Sequence, residues 1–175
     1  DFCVVRPPFN PEQEGVKYDI IIEPKMSFGT AHHQTTSLII DFISKENIAG
    51  KRVMDMGCGT GVFAILSMKM GAEYAKGIDI DIWAAENAKE NAEKNSVSID
   101  VLLGNANLLD ENEKFDVFFA NINRNILLAD METYSKSIQE GGTLFLSGFY
   151  SQDVEILEAE CKLYDLYLTD VETKD

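Results

Sequence analysis

The amino-acid sequence predicts a doubly wound α/β fold, with a mainly parallel sheet and helices on both of its faces. From Lys51 onward, apolar runs rich in β-forming residues alternate with amphipathic helical stretches, which is the pattern of successive βαβ units. One of these runs, Val53–Met56, is followed by closely spaced glycines and then by a helical stretch. A glycine-rich turn of this kind follows the first strand of doubly wound sheets.

The strands are assigned from short apolar runs with β-forming residues, each bounded by turn residues or by a helical stretch. They are expected at Arg52–Met56, Ala75–Ile80, Ile99–Leu103, Phe115–Ala120, Thr143–Gly148 and Leu166–Val171.

The helices are assigned to the intervals between the strands. Val62–Met70 carries closely spaced apolar residues, as in a helix packed against a sheet, whereas Ala84–Asn95 alternates alanine with polar residues. Ser37–Ser44 is a further helix ahead of the first strand. Three prolines favour a connecting or edge structure over Phe2–Tyr18.

Composition narrows the possible partners. The chain has 175 residues, of which 45% are hydrophobic, so one domain with a single core is expected. Its net charge of −15 repels a phosphate backbone and attracts a basic protein, so nucleic acid is not expected as a direct substrate. An acidic surface that only keeps a cytosolic protein in solution has the same charge, and this alternative stays open.

Cysteine usage and hydropathy indicate a cytoplasmic protein. The cysteines, Cys3, Cys58 and Cys161, are far apart and have no metal-ligand spacing, so we expect reduced thiols and no metal site. No apolar stretch approaches the roughly 18 residues that a membrane span needs. The first residues also lack the pattern of a signal peptide, so no membrane partner is expected.

The glycine loop has the spacing of a nucleoside site. Gly57, Gly59 and Gly61 occupy every second position, whereas a dinucleotide-binding loop has its third glycine three places after the second. Asp79 ends the next predicted strand, where its carboxylate could accept both hydroxyls of a ribose. Taken separately, the glycines could form an ordinary turn and Asp79 could be a helix N-cap. Asp55 would orient the loop or hold an ammonium group of the ligand.

Two further segments resemble a known family. The residues IEPKMSFGTAHHQTT at Ile22–Thr36 and the motif Ala120–Ile122 are similar to those of the PrmA family of class I S-adenosylmethionine-dependent methyltransferases, which methylate large-subunit ribosomal protein eleven. The resemblance implies the Rossmann-like methyltransferase fold and S-adenosylmethionine as cofactor. It also implies cofactor contacts from Thr36, Gly57, Asp79 and Asn121.

The resemblance also implies a domain organisation. Residues 1–36 are expected to be a connecting segment with a loop that covers the cofactor, and residues 37–175 a single catalytic domain. The family's N-terminal substrate-recognition domain and the final antiparallel strand of its sheet are expected to be missing from this chain. The implied partner is a basic ribosomal protein whose amino groups accept the methyl group.

Methyl transfer to nitrogen needs few catalytic groups, because it depends mainly on holding three atoms in line. The residues predicted to frame the acceptor, and hence the predicted catalytic residues, are Phe28, His33 and Asn121. For His33 a purely structural role is equally compatible with the sequence. The predicted cofactor-binding residues are Thr36, Asp55, Gly57, Gly59, Gly61, Asp79, Ile80, Asn105 and Asn121. Ile82 and Trp83 are further candidates for contact with the adenine.

Other functions remain as alternatives. A related enzyme of the same fold could methylate a different protein lysine or a small molecule, since fold and cofactor do not determine the acceptor. A cofactor-binding module without catalytic activity is a second alternative. The even glycine spacing argues against a nicotinamide-dependent oxidoreductase.

Overall fold

The computed structural model describes residues 2–23, 25 and 34–173. The strands in this part of the chain are β1 (Cys3–Arg6), β2 (Tyr18–Ile21), β3 (Arg52–Met56), β4 (Tyr74–Asp79), β5 (Asp100–Leu103), β6 (Phe115–Asn121) and β7 (Ile138–Ser147). The α-helices are α1 (Gln34–Ile43), α2 (Val62–Lys69), α3 (Ile82–Lys94), α4 (Arg124–Ser137) and α5 (Val154–Lys162). Short 3-10 helices lie at Ala106–Leu108 and Ser151–Asp153.

Five strands form the central sheet in the order β5–β4–β3–β6–β7, and all of their pairings among the described residues are parallel. The chain adds strands outward from β3 to β5 and then returns to the other side of β3 with β6. The switch point of the topology therefore lies between β3 and β6, where ligands bind in doubly wound sheets. This architecture confirms the predicted fold class.

Alternate residues of the central strands pack on opposite faces of the sheet. Val53 and Phe119 face a cluster that includes residues of α1 and α2, whereas Met54 and Phe118 face a second cluster with residues of α4 and α5. This alternation follows from the period-two geometry of strands. Because both faces are covered, the strands are nearly continuous runs of apolar residues, as buried parallel strands are.

The N-terminal segment forms more structure than the prolines predict. β1 and β2 pair as a two-stranded parallel sheet, and the Arg6 guanidinium donates to the Asp19 carboxylate across it, with the Nε–Oδ1 distance at 2.8 Å. Ile20 of β2 is fully buried in the same cluster as α2. With the sheet on one side and β2 on the other, α2 buries all six residues from Val62 to Ser67, as expected of a helix that is apolar all round.

The prediction of a strand at Leu166–Val171 is wrong. These residues form no strand in the described structure, and Tyr167 and Leu168 are exposed. An extended segment becomes a strand only when its main-chain groups pair with a neighbour, and these residues pair with no described strand. Just after this segment, Lys45 Nζ lies 2.7 Å from Glu172 Oε1 in a largely exposed ion pair. No helix in the described part of the chain is long and apolar enough to cross a membrane.

Candidate functional site

A cavity of about 430 Å³ opens at the carboxyl ends of the central strands. Its position is the switch point of the sheet, and its volume lies within the usual range for small-molecule sites. Seven of the nine predicted cofactor-binding residues line it: Thr36, Gly57, Gly59, Asp79, Ile80, Asn105 and Asn121. Asp55 and Gly61 are not part of its lining.

The glycine loop connects β3 to α2 along one wall of the cavity. Its main chain is bound to the neighbouring strand, because the N–H of Gly57 donates to the carbonyl oxygen of Ile78 at 2.7 Å. Gly57 has φ +66°, and a Cβ built on it would lie 2.8 Å from Cγ1 of Ile122. Only glycine fits this position without strain or a shift of Ile122. Gly57 and Gly59 have no side chains and line the cavity, so the main chain of the loop is open to a ligand there.

Asp79 ends β4 and presents its carboxylate to the cavity. Oδ2 accepts the N–H of Gly59 at 2.9 Å, and Oδ1 accepts the N–H of Asp81 at 2.9 Å. Both oxygens keep further lone pairs, which can accept hydrogen bonds from two adjacent hydroxyl groups. Asp79 is therefore oriented before any ligand binds, and it also braces the glycine loop. The sequence did not predict this second role.

Asp55 lies beneath the loop rather than in the cavity wall. Its side chain is buried, and Oδ2 accepts the N–H of Ala64 near the start of α2 at 3.3 Å. Burial raises the pKa of the Asp55 carboxyl well above its usual value, and the charge of Asp79 acts in the same direction. Gly61 precedes α2, and a Cβ there would lie 3.1 Å from Cβ of Ala88. These placements favour loop orientation for Asp55 and close helix packing for Gly61.

The ends of β4 and β5 supply apolar and amide groups. The Ile80 side chain borders the cavity and is 74% exposed, so a bound ring could cover it. Oδ1 of Asn105 accepts the N–H of Asn107 at 3.0 Å, which leaves its amide nitrogen as a donor. The candidates Ile82 and Trp83 do not line the cavity. They begin α3, whose first turn is capped by Asp81.

Helix α4 supplies a wall of the cavity that the sequence analysis missed. Ile126, Asp130 and Tyr134 all line the cavity, and the Tyr134 hydroxyl lies 3.3 Å from Oδ2 of Asp130. Burial, together with the Asp130 charge, raises the pKa of Tyr134. The four-residue spacing places these side chains on one helix face. That spacing was visible in the sequence, but it does not show which face meets the cavity.

Asn91 of α3 joins the glycine loop to the N-terminal segment, and Asn95, the C-cap of the same helix, holds that segment beside it; both are buried. Oδ1 of Asn91 accepts the N–H of Glu23 at 2.9 Å, and its Nδ2 donates to the carbonyl oxygen of Thr60 at 3.0 Å. Asn95 pairs with both main-chain groups of Ile21, at 2.9 and 2.7 Å. The asparagines thus hold the chain leaving β2 against the loop. Their spacing of four in a helix was the available sequence signal.

Thr36 of α1 and Asn121 of β6 also line the cavity. Asn121 is on the same side of the sheet as Phe119, which packs in the α1 and α2 cluster. Phe28 and His33, the other residues predicted to frame an acceptor, lie outside the described residues, as does most of the segment at Ile22–Thr36.

Among the described residues, the side chains lining the cavity that carry a charge at neutral pH are all acidic: Asp79, Asp81 and Asp130. The described residues also contain no group of histidine, cysteine or acidic side chains that could hold a metal ion. The local charge therefore favours a cationic ligand.

Comparison with known proteins agrees with this geometry. The family model of the ribosomal protein L11 methyltransferases (PrmA) matches residues 2–174. A ribosomal protein L11 methyltransferase of Porphyromonas gingivalis is 46% identical over 176 residues, which cover 100% of this chain and 61% of that relative. This chain thus spans about three fifths of that relative's length.

Solved structures extend the comparison to the fold. A ribosomal protein L11 methylase from Lactobacillus delbrueckii subsp. bulgaricus superposes with a TM-score of 0.83 at 26% identity, covering 93% of this chain and 83% of that one. A methyltransferase from Thiobacillus denitrificans in complex with S-adenosyl-L-homocysteine gives 0.51 at 26% identity, covering 56% and 42% of the two chains. By the family match over nearly its whole length, this chain belongs to the ribosomal protein L11 methyltransferase (PrmA) family.

Proposed function

We propose that this chain binds S-adenosylmethionine and transfers its methyl group to amino groups of ribosomal protein L11. The observation that carries the proposal is the Asp79 carboxylate, which faces a cavity at the switch point and is oriented by Gly59 and Asp81 at 2.9 Å. Family membership supports the choice of substrate. The acidic lining of the cavity suits a cofactor that carries a sulfonium charge.

The lining residues fit the parts of this cofactor. Asp79 would accept the two ribose hydroxyls, and Ile80 and Ile122 would contact the adenine on an apolar surface. The free amide nitrogen of Asn105 is available to the adenine edge. Thr36 would meet the amino-acid end of the cofactor, beside the open main chain of the glycine loop. Asp55 would act from beneath by holding the start of α2.

When bound, S-adenosylmethionine supplies an electrophilic methyl group on sulfur. The task of this chain is then to hold a neutral amine in line with that group, at about 3–3.5 Å. Asn121, which ends β6 and lines the cavity, would frame the amine through its amide oxygen. Phe28 and His33 remain predicted members of the same acceptor site.

The proposal includes the setting of the reaction. Ribosomal protein L11 as substrate places the enzyme in the cytoplasm, and the net charge of −15 suits a basic protein partner. In this proposal residues 37–175 form the catalytic domain. Residues 1–36 form the connecting segment and the loop that covers the cofactor.

Calorimetric titration of S-adenosylmethionine and, separately, NAD into the purified protein tests the cofactor. Saturable binding of the first ligand alone is the expected result, and binding of NAD alone would overturn the proposal. Transfer of labelled methyl groups to purified ribosomal protein L11 tests the substrate. Cofactor binding without any transfer to this protein would instead favour another acceptor or a non-catalytic binding module.

A further inference from the structure

The contacts proposed for S-adenosylmethionine leave the carboxylate of Asp130 unused. Asp130 lies on α4 together with Ile126 and Tyr134, and all three side chains line the cavity. The Tyr134 hydroxyl donates to Oδ2 of Asp130 at 3.3 Å, whereas Oδ1 makes no hydrogen bond within the described part of the chain. Oδ1 is therefore available to accept a hydrogen bond from a ligand in the cavity.

The Asp130 carboxylate is oriented by a side chain that is itself fixed. Tyr134 is fully buried, and its ring packs against that of Phe118 with the two centroids 5.0 Å apart. Burial holds the pKa of Tyr134 above its usual value, so its hydroxyl remains a donor at neutral pH. The acceptor is thus positioned before a ligand binds, which lowers the entropy cost of binding.

Asn105 supplies a hydrogen-bond donor on the same side of the cavity. It caps the 3-10 helix Ala106–Leu108, which packs against α4. Asn105 and Asp130 therefore line the cavity from two elements that are in contact. Nδ2 of Asn105 is free to donate, because Oδ1 already accepts the N–H of Asn107 at 3.0 Å. The Asp130 carboxylate can only accept, so the two side chains form a complementary pair.

Thr36 and Asp130 approach the cavity from opposite faces of the sheet. Thr36 belongs to α1, which packs in the same cluster as α2, whereas α4 packs in the cluster on the other face. In the proposed function the amino-acid end of the cofactor lies near Thr36 and the ribose lies at Asp79. The base then lies on the α4 side, where Ile122 and Ile126 provide apolar surface for a ring.

We propose that Asp130 and Asn105 together recognise the edge of the adenine that carries its exocyclic amine. This amine donates hydrogen bonds, and the ring nitrogen N1 beside it accepts one. Asp130 accepts from the amine and Nδ2 of Asn105 donates to N1, as side chains do when they read this edge of a base. The inference rests on the proposed function and deepens it, because it identifies the groups that select adenine.

S-adenosylhomocysteine and S-inosylhomocysteine test the inference, because they differ only at this edge of the base. Hypoxanthine has a carbonyl oxygen in place of the amine and a proton on N1, so the donor and the acceptor are exchanged. A site built to bond a ligand group rejects an analogue that lacks this group. The measured quantity is the ratio of the two dissociation constants, obtained by calorimetry. The wild type should bind S-adenosylhomocysteine at least about tenfold more tightly.

Asp130→Asn is the informative variant. The amide of asparagine can accept from an amine or donate to a carbonyl oxygen, so the preference for S-adenosylhomocysteine should fall about tenfold. The amide oxygen can still accept from the Tyr134 hydroxyl, and Asp130 is only partly buried. The melting temperature of Asp130→Asn should therefore stay close to that of the wild type.

Asp81→Asn is the matched control. Asp81 also lines the cavity with a carboxylate, but its Oδ1 accepts the N–H groups of Trp83 and Ala84 at the start of α3. Asparagine caps helices as well as aspartate does, so this variant removes a charge from the cavity and retains the cap. The loss of charge acts on both ligands alike, and the ratio of the dissociation constants should stay at the wild-type value.

The outcomes separate this inference from the proposed function. If the wild type binds S-adenosylhomocysteine but binds S-inosylhomocysteine equally well, the role of Asp130 is wrong and the proposed function stands. The same holds if Asp130→Asn weakens both ligands equally, since Asp130 would then act on a group that both share. If the wild type binds neither ligand, both proposals fail. A loss of preference in Asp130→Asn, without one in Asp81→Asn, supports the role of Asp130.

Discussion

The Asp79 carboxylate accepts two main-chain N–H groups and still faces the cavity. Asp79→Asn retains the shape of the side chain but loses the charge and one acceptor. We expect the affinity for S-adenosylmethionine to fall about a hundredfold, because two ribose hydroxyls each lose a bond to a charged group. Calorimetric titration measures this change.

Asp116→Asn is the matched control for Asp79→Asn. Oδ2 of Asp116 also accepts a main-chain N–H, that of Arg52 at 2.8 Å, but at the amino end of the sheet. The control should lose stability without losing cofactor affinity. Equal affinities in the two variants would show that Asp79 does not hold the ribose.

Asp55 makes the stability of the protein depend on pH. Its raised pKa means that the folded state holds a proton that the unfolded state releases above 3.8. The free energy of unfolding therefore falls as pH rises from that value up to the raised pKa. Asp55→Asn lacks this dependence, so urea unfolding should show the variant gaining stability relative to wild type between about pH 5 and about pH 8. A constant difference between the two proteins would contradict the assignment.

Helix α3 contacts the glycine loop through a buried side chain, Asn91, whereas Ile82 and Trp83 at its N-terminus do not line the cavity. Asn91 bridges Glu23 and Thr60, while Asn95 holds Ile21. The helix therefore fixes how the chain leaves β2 relative to the glycine loop. That segment leads through the residues predicted to cover the cofactor towards Thr36, which lines the cavity.

We predict that Asn91→Ala lowers both the affinity for S-adenosylmethionine and the free energy of unfolding. The substitution leaves the N–H of Glu23 and the carbonyl oxygen of Thr60 without their partner, which should lower the free energy of unfolding by about 1–3 kcal/mol. Because Thr60 belongs to the glycine loop, the dissociation constant should rise too. Urea unfolding and calorimetry measure the two effects.

Asn95→Ala is the control at the C-cap of α3, since Asn95 is also buried and also binds the chain at the end of β2, but its described hydrogen bonds go to Ile21 and Asn91 and not to the loop. It should destabilise the fold to a similar extent with a smaller loss of cofactor affinity. A loss of affinity as large as that of Asn91→Ala would mean that stability alone accounts for the effect.

A net charge of −15 affects encounters with charged partners rather than the choice of fold. If ribosomal protein L11 is the substrate, the kcat/KM for this protein should fall steeply as salt is raised from low to physiological concentration, because screening removes the attraction between opposite charges. The affinity for S-adenosylmethionine should change less, since its contacts are short-ranged. A kcat/KM that is independent of salt would contradict electrostatic steering.

Much of the fold and part of the site could be predicted because their signals are local. The apolar runs of β3, β4 and β6, the spacing of Gly57, Gly59 and Gly61, and the position of Asp79 after β4 each occupy a few adjacent residues. Parallel strands joined by helices then bring the carboxyl ends to one edge. That rule alone places the glycine loop beside Asp79.

Tertiary structure decided what depends on residues far apart in the chain. Asn91 and Glu23 are 68 positions apart, and the use of Asn91 depends on β2 lying against α3. The cavity wall from Asp130 and Tyr134 depends on which face of α4 meets the sheet. Leu166–Val171 has the composition of a strand, but it forms none because it pairs with no described strand.

The amino-acid sequence by itself thus determined the doubly wound class, the glycine loop and the acid that follows β4. The packing of distant elements determined the partners of Asn91 and the place of Asp130 in the cavity wall. The physical reason is that strands, turns and caps arise from interactions between near neighbours in the chain. A hydrogen bond or a buried surface between distant segments exists only once the fold has brought both sides together.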